Sequence, residues 1–348
     1  MAEIAVRFRD VDIVFGSKPK SALPLIDAGK NRAEIQEETG QILGVAGATL
    51  DVEVGETLVL MGLSGSGKST LLRAVNGLNP LIRGSVEVSC EGQTLSPANC
   101  SKQELRQLRL NWVSMVFQQF ALLPWRTVAE NVGFGLELAG LQKDEIAEKI
   151  TEQLELVGLS DWGDKKVEEL SGGMQQRVGL ARAFVTEAPI LLMDEPYSAL
   201  DPLIRSRLQD ELIDLQTRLK RTIIFVSHDL DEAIKIGNRI AIMDGGRIIQ
   251  VGTAQEILNN PANEYVADFV AHMNPLAVLR AEDAMRATTK IGKGDKSAPL
   301  AERTASLREI MAMQLESDMA VYVKDETGIC GIIEAADIHR ALLRNKAN

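Results

Sequence analysis

The chain has 348 residues, enough for one large α/β domain and a small appended domain. Its 38 basic and 49 acidic residues give a formal net charge of −11 at pH 7, which argues against a protein that coats nucleic acid, because phosphate backbones need a basic face. No stretch approaches the roughly 20 apolar residues of a membrane-spanning helix, so we expect any action at a membrane to go through partner proteins. The three scattered cysteines support neither a disulfide framework nor a zinc site.

The first predicted elements are a strand, an insertion and a second strand. Residues 3–16 alternate apolar and polar side chains, which is the period of a half-buried strand. Residues 17–47 interrupt that pattern, with one helix predicted around Asn31–Glu38. The strand TLVLM follows, then a glycine-rich loop and a helix that Gly77 and Pro80 are expected to close.

The remaining chain alternates short apolar strands with helices. Strands are predicted in WVSMVF, PILLMDEP, TIIFVSH and RIAIMDGGRIIQVG. Their alternation with helices indicates an α/β fold with a mainly parallel sheet covered on both faces. We predict this domain over 1–270, with a helical subdomain at about 120–178. A linker and a small α+β domain, with a helix, strand, turn, strand, helix pattern, are predicted over 271–348.

A phosphate-binding loop is indicated by GLSGSGKS, which fits GxxxxGK[ST] between a strand and a helix. Glycines let successive backbone N–H groups turn inward, and the helix N-terminus adds its positive end. We expect Lys68 to reach the β- and γ-phosphates, the Ser69 hydroxyl to ligate Mg²⁺ and Thr70 to bond the α-phosphate. The alternative is a glycine-rich turn without a ligand. The candidate loop residues are Gly62, Leu63, Ser64, Gly65, Ser66, Gly67, Lys68, Ser69 and Thr70.

Two acids end the strand ILLMDEP. In this position Asp194 is expected to hold the Mg²⁺ shell, and Glu195 to orient or deprotonate an attacking water. Without the phosphate loop the pair would suit an acidic helix start. Together the two elements indicate a nucleoside triphosphatase.

The chain contains four further motifs in the order VFQQ, LSGGMQQR, SALD and FVSHD; the first two precede ILLMDEP and the last two follow it. With them the chain resembles the ATP-binding cassette (ABC) ATPases, the nucleotide-binding subunits of ABC transporters, over about residues 3–260. The resemblance implies a P-loop NTPase fold with a mainly parallel sheet core, an antiparallel β part and an inserted helical subdomain. It also implies ATP hydrolysis with Mg²⁺.

The resemblance assigns roles to residues outside the phosphate loop. It implies that Gln118 reaches Mg²⁺ and the attacking water, that His228 touches the γ-phosphate and that Phe15 stacks on adenine. Taken singly, Gln118 could be a surface amide and His228 a satisfied polar residue. The resemblance also assigns nucleotide contacts to residues of the signature LSGGMQQR and of the SALD segment, namely Ser171, Gly172, Gly173, Gln175 and Asp201.

The signature is a second anion site in a chain that already has one. Ser171 is a natural helix N-cap, and Gly172 and Gly173 expose backbone N–H groups at the start of a helix. In the family two subunits pack head to tail, so that each signature caps the γ-phosphate held by the other. We therefore expect Ser171 to lie far from Lys68 in a single chain, and a second copy of the chain to be a partner.

The insertion and several long stretches narrow the subfamily. LGVAGATLDVEVGE, MGLSGSGKSTLLRAVNGL and VSHDLDEAIKIGNRIAIM resemble the ATPases of glycine betaine, proline and choline importers. This implies a transmembrane permease as partner, a substrate-binding protein as indirect partner, and a peripheral position on the cytoplasmic face of the bacterial inner membrane. Leu123–Trp125 are the candidates for an exposed permease-docking patch. An ATPase for another small solute, a soluble cassette protein and a nucleotide kinase are the alternatives.

The stretch SDMAVYVKDETGICGIIEAADIHRALLRN resembles the second half of a CBS module. Its Asp337 lies where such modules contact a ribose. Related importer ATPases carry a tandem pair, whereas residues 271–348 leave room for little more than one. We therefore do not expect nucleotide sensing by this domain.

Overall fold

A computed structural model describes residues 3–271, 273–289 and 298–344. The chain forms two compact units, one made of Met1–His228 with Ile236–Ile249 and the other of Asp229–Lys235 with Gln250–Asn348. The boundary between the two compact units falls after Ile249, about twenty residues before the domain boundary at 270 that the sequence predicts. The division at 270 stays a prediction. Part of the predicted linker, 290–297, lies outside the described residues.

The two units contain the following elements. The strands are β1 (Ile4–Phe15), β2 (Ile42–Glu53), β3 (Thr57–Met61), β4 (Arg83–Cys90), β5 (Gln93–Leu95), β6 (Val113–Val116), β7 (Ile190–Asp194), β8 (Thr222–Val226), β9 (Arg239–Asp244), β10 (Arg247–Gly252), β11 (Arg286–Ala287), β12 (Leu300–Glu302), β13 (Val321–Asp325) and β14 (Gly328–Ile333). The helices are α1 (Leu23–Asp27), α2 (Arg32–Thr39), α3 (Lys68–Leu72), α4 (Lys102–Gln107), α5 (Val128–Ala139), α6 (Lys143–Leu156), α7 (Gly172–Phe184), α8 (Pro202–Leu219), α9 (Leu230–Ile236), α10 (Ala254–Asn259), α11 (Glu264–Val270), α12 (Pro275–Val278), α13 (Ala281–Ala284), α14 (Leu307–Ser317) and α15 (Ala335–Arg344).

A six-stranded sheet carries the site, in the order β10-β9-β3-β8-β7-β6. The pairs β3/β8, β3/β9, β7/β8 and β6/β7 are all parallel. Every residue of β3, β7 and β8 is buried, which explains their uninterrupted apolar sequences. The loops that follow the carboxyl ends of these strands lie at one edge of the sheet, where α/β proteins bind ligands. The predicted α/β fold is confirmed.

An antiparallel sheet in the order β2-β1-β4-β5 forms the second layer of the first unit. The insertion between β1 and β2 folds as α1 and α2, and the predicted helix is confirmed with Asn31 as its N-cap. Ile35 of α2 is fully buried in a small core with Val14 of β1 and Leu43 of β2. This packing attaches the insertion to the strands that flank it.

The helix after the phosphate loop differs from its prediction. The sequence predicts a helix that continues to Gly77, but α3 ends at Leu72. Beyond it, the backbone N–H groups of Ala74 and Val75 bond to the carbonyls three residues earlier, at 3.1 Å each, so the chain tightens into turns. A glycine stop signal marks the end of the turn region, not the end of the α-helix.

The predicted helical subdomain contains α5, α6 and the start of α7. Among the described residues from 127 to 170 the β pairing amounts to one isolated bridge, between Thr127 and Lys166. Thr127 also begins α5 through a capping box with Glu130.

In the second unit, α14, β13, β14 and α15 reproduce the predicted helix, strand, turn, strand, helix pattern. These strands belong to a sheet in the order β11-β14-β13-β12. The carboxylate of Asp337, 3% exposed, accepts hydrogen bonds from the Glu334 backbone N–H at 2.8 Å and from the guanidinium groups of Arg286 and Arg340. It therefore stabilises the start of α15, and its ribose contact stays a prediction.

Candidate nucleotide-binding site

A cavity of about 320 Å³ brings together many of the predicted site residues. It lies beside the phosphate loop that connects β3 to α3. Phe15 of β1, Gln118 after β6 and Glu195 after β7 share it with that loop. The residues lining it are Phe15, Arg32, Ile42, Leu43, Gly44, Ser64, Gly65, Gly67, Lys68, Ser69, Thr70, Gln118 and Glu195.

The phosphate loop closes around its lysine. Lys68 Nζ donates to the carbonyl oxygens of Gly62 at 2.8 Å and Leu63 at 3.0 Å. Burial lowers the pKa of Lys68, while the charges of Glu195 and Asp194 oppose that shift. The ammonium group therefore lies partly buried inside the loop. The negative charge of a bound phosphate would offset the cost of burying this positive charge.

The buried hydroxyl of Ser66 has no hydrogen-bond partner. Buried polar groups of proteins are normally paired, so this hydroxyl is an exception within the loop, and Ser66 itself lies outside the cavity lining. The loop therefore leaves one of its own donors unsatisfied.

Asp194 is fully buried at the end of β7 and is held by two neighbours. Ser69 Oγ donates to its Oδ1 at 2.6 Å, and Arg73 Nη2 donates to its Oδ2 at 2.8 Å. The predicted Mg²⁺ ligands Ser69 and Asp194 are therefore adjacent. Hydroxyl, carboxylate and the nearby Gln118 amide are hard oxygen donors, which fit Mg²⁺. Arg73 carries no predicted role, because no phosphate-loop motif specifies the residue four positions after the lysine-serine pair.

The three predicted catalytic residues meet on one carboxylate oxygen. Gln118 Nε2 donates to Glu195 Oε2 at 3.2 Å, and His228 Nδ1 lies 3.5 Å from the same oxygen. Glu195 has a φ of 47°, a left-handed conformation that is uncommon outside glycine. Its backbone N–H donates to Val226 O at 3.1 Å, which ties this conformation to β8.

Phe15 marks the predicted adenine end of the cavity and is 38% exposed. A Cβ on Gly44 would lie 2.9 Å from Phe15 Cε2 and 2.9 Å from Thr70 Cγ2, so the ring and the phosphate-loop helix both pack against this glycine. Sequence reasoning missed Gly44. A glycine inside the apolar strand QILGVAG was the available signal, since such glycines mark a close approach.

The signature residues lie outside the set that lines this cavity. Ser171 is the N-cap of α7, with its Oγ accepting from Met174 N at 3.4 Å, and both Ser171 and Gly172 are exposed. Gln175 Nε2 donates to the carbonyl oxygens of Val167 at 3.0 Å and Leu170 at 3.2 Å. The exposed start of α7 therefore lies outside the lining of the chain's own cavity, and its role as an anion site stays a prediction.

Gln176 connects the signature helix to the catalytic strand. Its Oε1 accepts from Ala199 N at 3.0 Å and its Nε2 donates to Glu195 O at 3.4 Å. Asp201, the predicted end of the SALD segment, caps α8 by accepting from Ile204 N at 3.1 Å. Sequence reasoning missed Gln176, a buried amide on the apolar stripe of α7.

The segment after Gln118 is held by an arginine of α7. Phe120 and Ala121 both have positive φ, at 58° and 49°, and Arg182 donates to each of their carbonyl oxygens at 2.8 Å. Burial lowers the pKa of Arg182. Next to this segment lies a groove of about 320 Å³, whose lining includes Ala121, Arg182 and Leu123 of the predicted docking patch. Trp125 of that patch is 70% exposed.

The fold and the site define a P-loop nucleoside triphosphatase, and comparisons with known proteins agree. The ABC transporter family model matches residues 45–198. The chain is 44% identical over 340 residues to the glycine betaine transport ATP-binding protein OpuAA of Bacillus subtilis, spanning 97% of this chain and 78% of that protein. It is 49% identical over 285 residues to the glycine betaine/proline betaine transport system ATP-binding protein ProV of Escherichia coli, spanning 82% and 70%. The dimeric ATP-binding cassette MJ0796 bound to ADP and Pi superposes with a TM-score of 0.61 at 27% identity, covering 71% of this chain and 98% of that one.

The chain therefore belongs to the ABC transporter family. It is an ATPase, as the ATP-binding members of that family are. Within the described residues, no helix combines the length and the apolar character needed to cross a membrane.

We predict that Gly44→Ala weakens binding of MgATP about ten-fold, because overpacking of this kind costs on the order of 1–3 kcal/mol. The new methyl group would lie 2.9 Å from Phe15 Cε2 and Thr70 Cγ2 and 3.1 Å from Ile13 O. A binding titration measures the effect. Gly179→Ala is the matched control, since its added carbon would meet nothing closer than 3.8 Å. Equal affinity of the Gly44→Ala variant and the parent would contradict the close packing.

We predict that Arg73→Met lowers the free energy of unfolding by about 2–3 kcal/mol, because it removes the guanidinium that is hydrogen-bonded to the buried Asp194 carboxylate. Denaturant unfolding without nucleotide measures the loss. Adding Asp194→Asn to Arg73→Met should recover part of it, since the uncompensated charge is then gone. If the double variant is less stable than Arg73→Met by the full cost of Asp194→Asn alone, the two side chains are not coupled.

Proposed function

We propose that the chain is the ATP-hydrolysing subunit of a bacterial importer for glycine betaine or a related quaternary amine. The glycine betaine transport ATP-binding protein OpuAA matches 97% of the chain, and the glycine betaine/proline betaine transport protein ProV matches 82% of it. A relative from Ruegeria pomeroyi, a trimethylamine N-oxide transport ATP-binding protein, is 44% identical over 84% of this chain. Glycine betaine, proline betaine and trimethylamine N-oxide share an N-methylated, fully substituted nitrogen with a formal positive charge and no N–H donor, so a single solute class unites these relatives.

The observation that supports the mechanism is that the signature lies outside the lining of the cavity that contains the phosphate loop. The cavity holds Lys68, while the exposed start of α7 with Ser171 lies outside the cavity lining. A site that the chain's own nucleotide does not use is available to the nucleotide of a second copy. Two copies packed head to tail would each place a signature over the phosphate loop of the other, so that ATP joins the subunits and hydrolysis releases them.

The residues of the cavity divide the chemistry of hydrolysis. Ser69, Gln118 and Asp194 would hold Mg²⁺, which neutralises phosphate charge when it is bound. Glu195 accepts a hydrogen bond from Gln118 on one oxygen, so its carboxylate is positioned to orient or deprotonate the attacking water. The His228 side chain lies 3.5 Å from that oxygen and is 65% exposed, so it would be free to contact a γ-phosphate.

The groove beside Phe120 and Ala121 is proposed as the seat of a cytoplasmic helix of the permease. Its apolar lining includes Leu123 and Phe134, and the exposed Trp125 lies next to it in sequence. This partner would hold the subunit peripherally at the cytoplasmic face of the bacterial inner membrane, with a substrate-binding protein acting through the permease.

We predict that Glu195→Gln slows ATP hydrolysis at least a hundred-fold, because the amide cannot accept a proton, and that it gains an ATP-dependent dimer on gel filtration. Lys68→Ala combined with Glu195→Gln is the control, since loss of nucleotide binding should remove the dimer. A Glu195→Gln protein that hydrolyses ATP at the parental rate and stays monomeric contradicts the proposed mechanism.

The solute is tested by uptake of labelled glycine betaine, proline betaine, choline and trimethylamine N-oxide. We predict that cells whose copy carries Lys68→Ala lose uptake of at least one of these compounds, whereas Lys30→Gln, outside the cavity lining, leaves it intact. Unchanged uptake of all four compounds would remove the quaternary-amine proposal and leave an importer of another solute.

A further inference from the structure

One residue of the insertion lines the nucleotide cavity. Arg32, the first residue of α2, donates through Nη1 to the carbonyl oxygen of Gly65 in the phosphate loop. Its Nη2 donates to the carbonyl oxygen of Gly44 in β2 at 3.2 Å. The guanidinium group therefore bridges the phosphate loop and the strand that lies beside it.

The insertion holds this arginine in place. Asn31 and Glu34 form a capping box at the start of α2, with the two bonds at 3.0 and 2.8 Å. Ile35, one turn later, is buried in the core shared with β1 and β2. Arg32 thus projects from a short helix that is fixed at its start and packed along one face.

The bridge fixes the outer part of the phosphate loop. The peptide that joins Gly65 to Ser66 directs its carbonyl to Arg32, while its N–H donates to Leu63 O at 3.1 Å. With both ends of this peptide bonded, its orientation is set before a nucleotide arrives. A preorganised loop loses less conformational freedom on binding than a mobile one does.

Arg32 also changes the charge of the cavity. Among the residues that line it, Lys68 and Arg32 are the cations and Glu195 is the anion. Arg32 Nε is buried and has no hydrogen-bond partner, so one N–H donor of its side chain is unsatisfied. A second cation matters most for a polyphosphate ligand, because the attraction grows with the ligand's charge.

We propose that Arg32 is a positioning residue for nucleoside polyphosphates: it clips the phosphate loop to β2 and adds the second positive charge of the site. The insertion then has a role in ATP binding that is independent of the transported solute. This inference extends the ATPase site and does not rest on the identity of the solute, so uptake data cannot decide it.

The test measures binding of MgATP, MgADP and adenosine to the full chain. Arg32→Gln should weaken MgATP about ten-fold, MgADP less and adenosine not at all, and it should make the affinity for ATP less dependent on salt. Arg32→Lys should fall between Arg32→Gln and the parent, because an ammonium keeps the charge but does not match the two-carbonyl bridge. In steady-state assays the KM for ATP should rise more than kcat falls.

Lys20→Gln is the matched control, because it removes one exposed cation from the same insertion and is neither in the cavity lining nor next to the capping box of α2. It should bind all three ligands as the parent does. Equal weakening of ATP, ADP and adenosine by Arg32→Gln would assign Arg32 a packing role only. Unchanged ATP affinity and salt dependence in Arg32→Gln and Arg32→Lys would overturn the proposal altogether.

Discussion

The backbone of Gly44 is where the antiparallel sheet meets the phosphate loop, and the nucleotide site depends on this close approach. A Cβ on Gly67 would lie 2.5 Å from the carbonyl oxygen of Gly44, and one on Gly246 would lie 3.0 Å from it. The same oxygen accepts the hydrogen bond from Arg32. Because larger side chains at these glycines would separate the segments, three parts of the chain are held around one carbonyl group. Phe15 reaches the cavity from β1 only while this packing persists.

Charge balance is the second constraint on the site. Asp194 is fully buried, and the Ser69 hydroxyl and the Arg73 guanidinium satisfy it within the chain. Lys68 has weaker compensation: it donates to loop carbonyls, and burial lowers its pKa. A bound triphosphate would bring negative charge that favours the ammonium form. Nucleotide binding and the charge of Lys68 are therefore linked, whereas the charge of Asp194 is balanced with or without nucleotide.

The predictable part of the molecule is the part encoded in short contiguous stretches. The phosphate loop, the acid pair after β7 and the helix at Asn31 each depend on a local pattern, and the structure has them where the sequence indicates. The roles of Gly44, Arg32 and Gln176 were not predicted, because their contacts join segments that are distant along the chain. Residue spacing in the sequence does not indicate such contacts. The predicted length of α3 was wrong for a related reason. The turns after Leu72 follow from packing around the site and not from a local stop signal.

Helix α7 relates the site to the groove beside it. Ser171 caps its first turn, Gln176 bonds to Glu195 O and Ala199 N, and Arg182 holds the carbonyls of Phe120 and Ala121. Arg182 lies eleven positions after Ser171, which corresponds to about 16 Å along an α-helix. One helix thus begins at the signature and contacts both the residue after β7 and the segment beside the groove. In the proposed head-to-tail dimer, a movement of the signature would act on the groove through α7, because the hydrogen bonds at both ends tie each neighbour to the same helix.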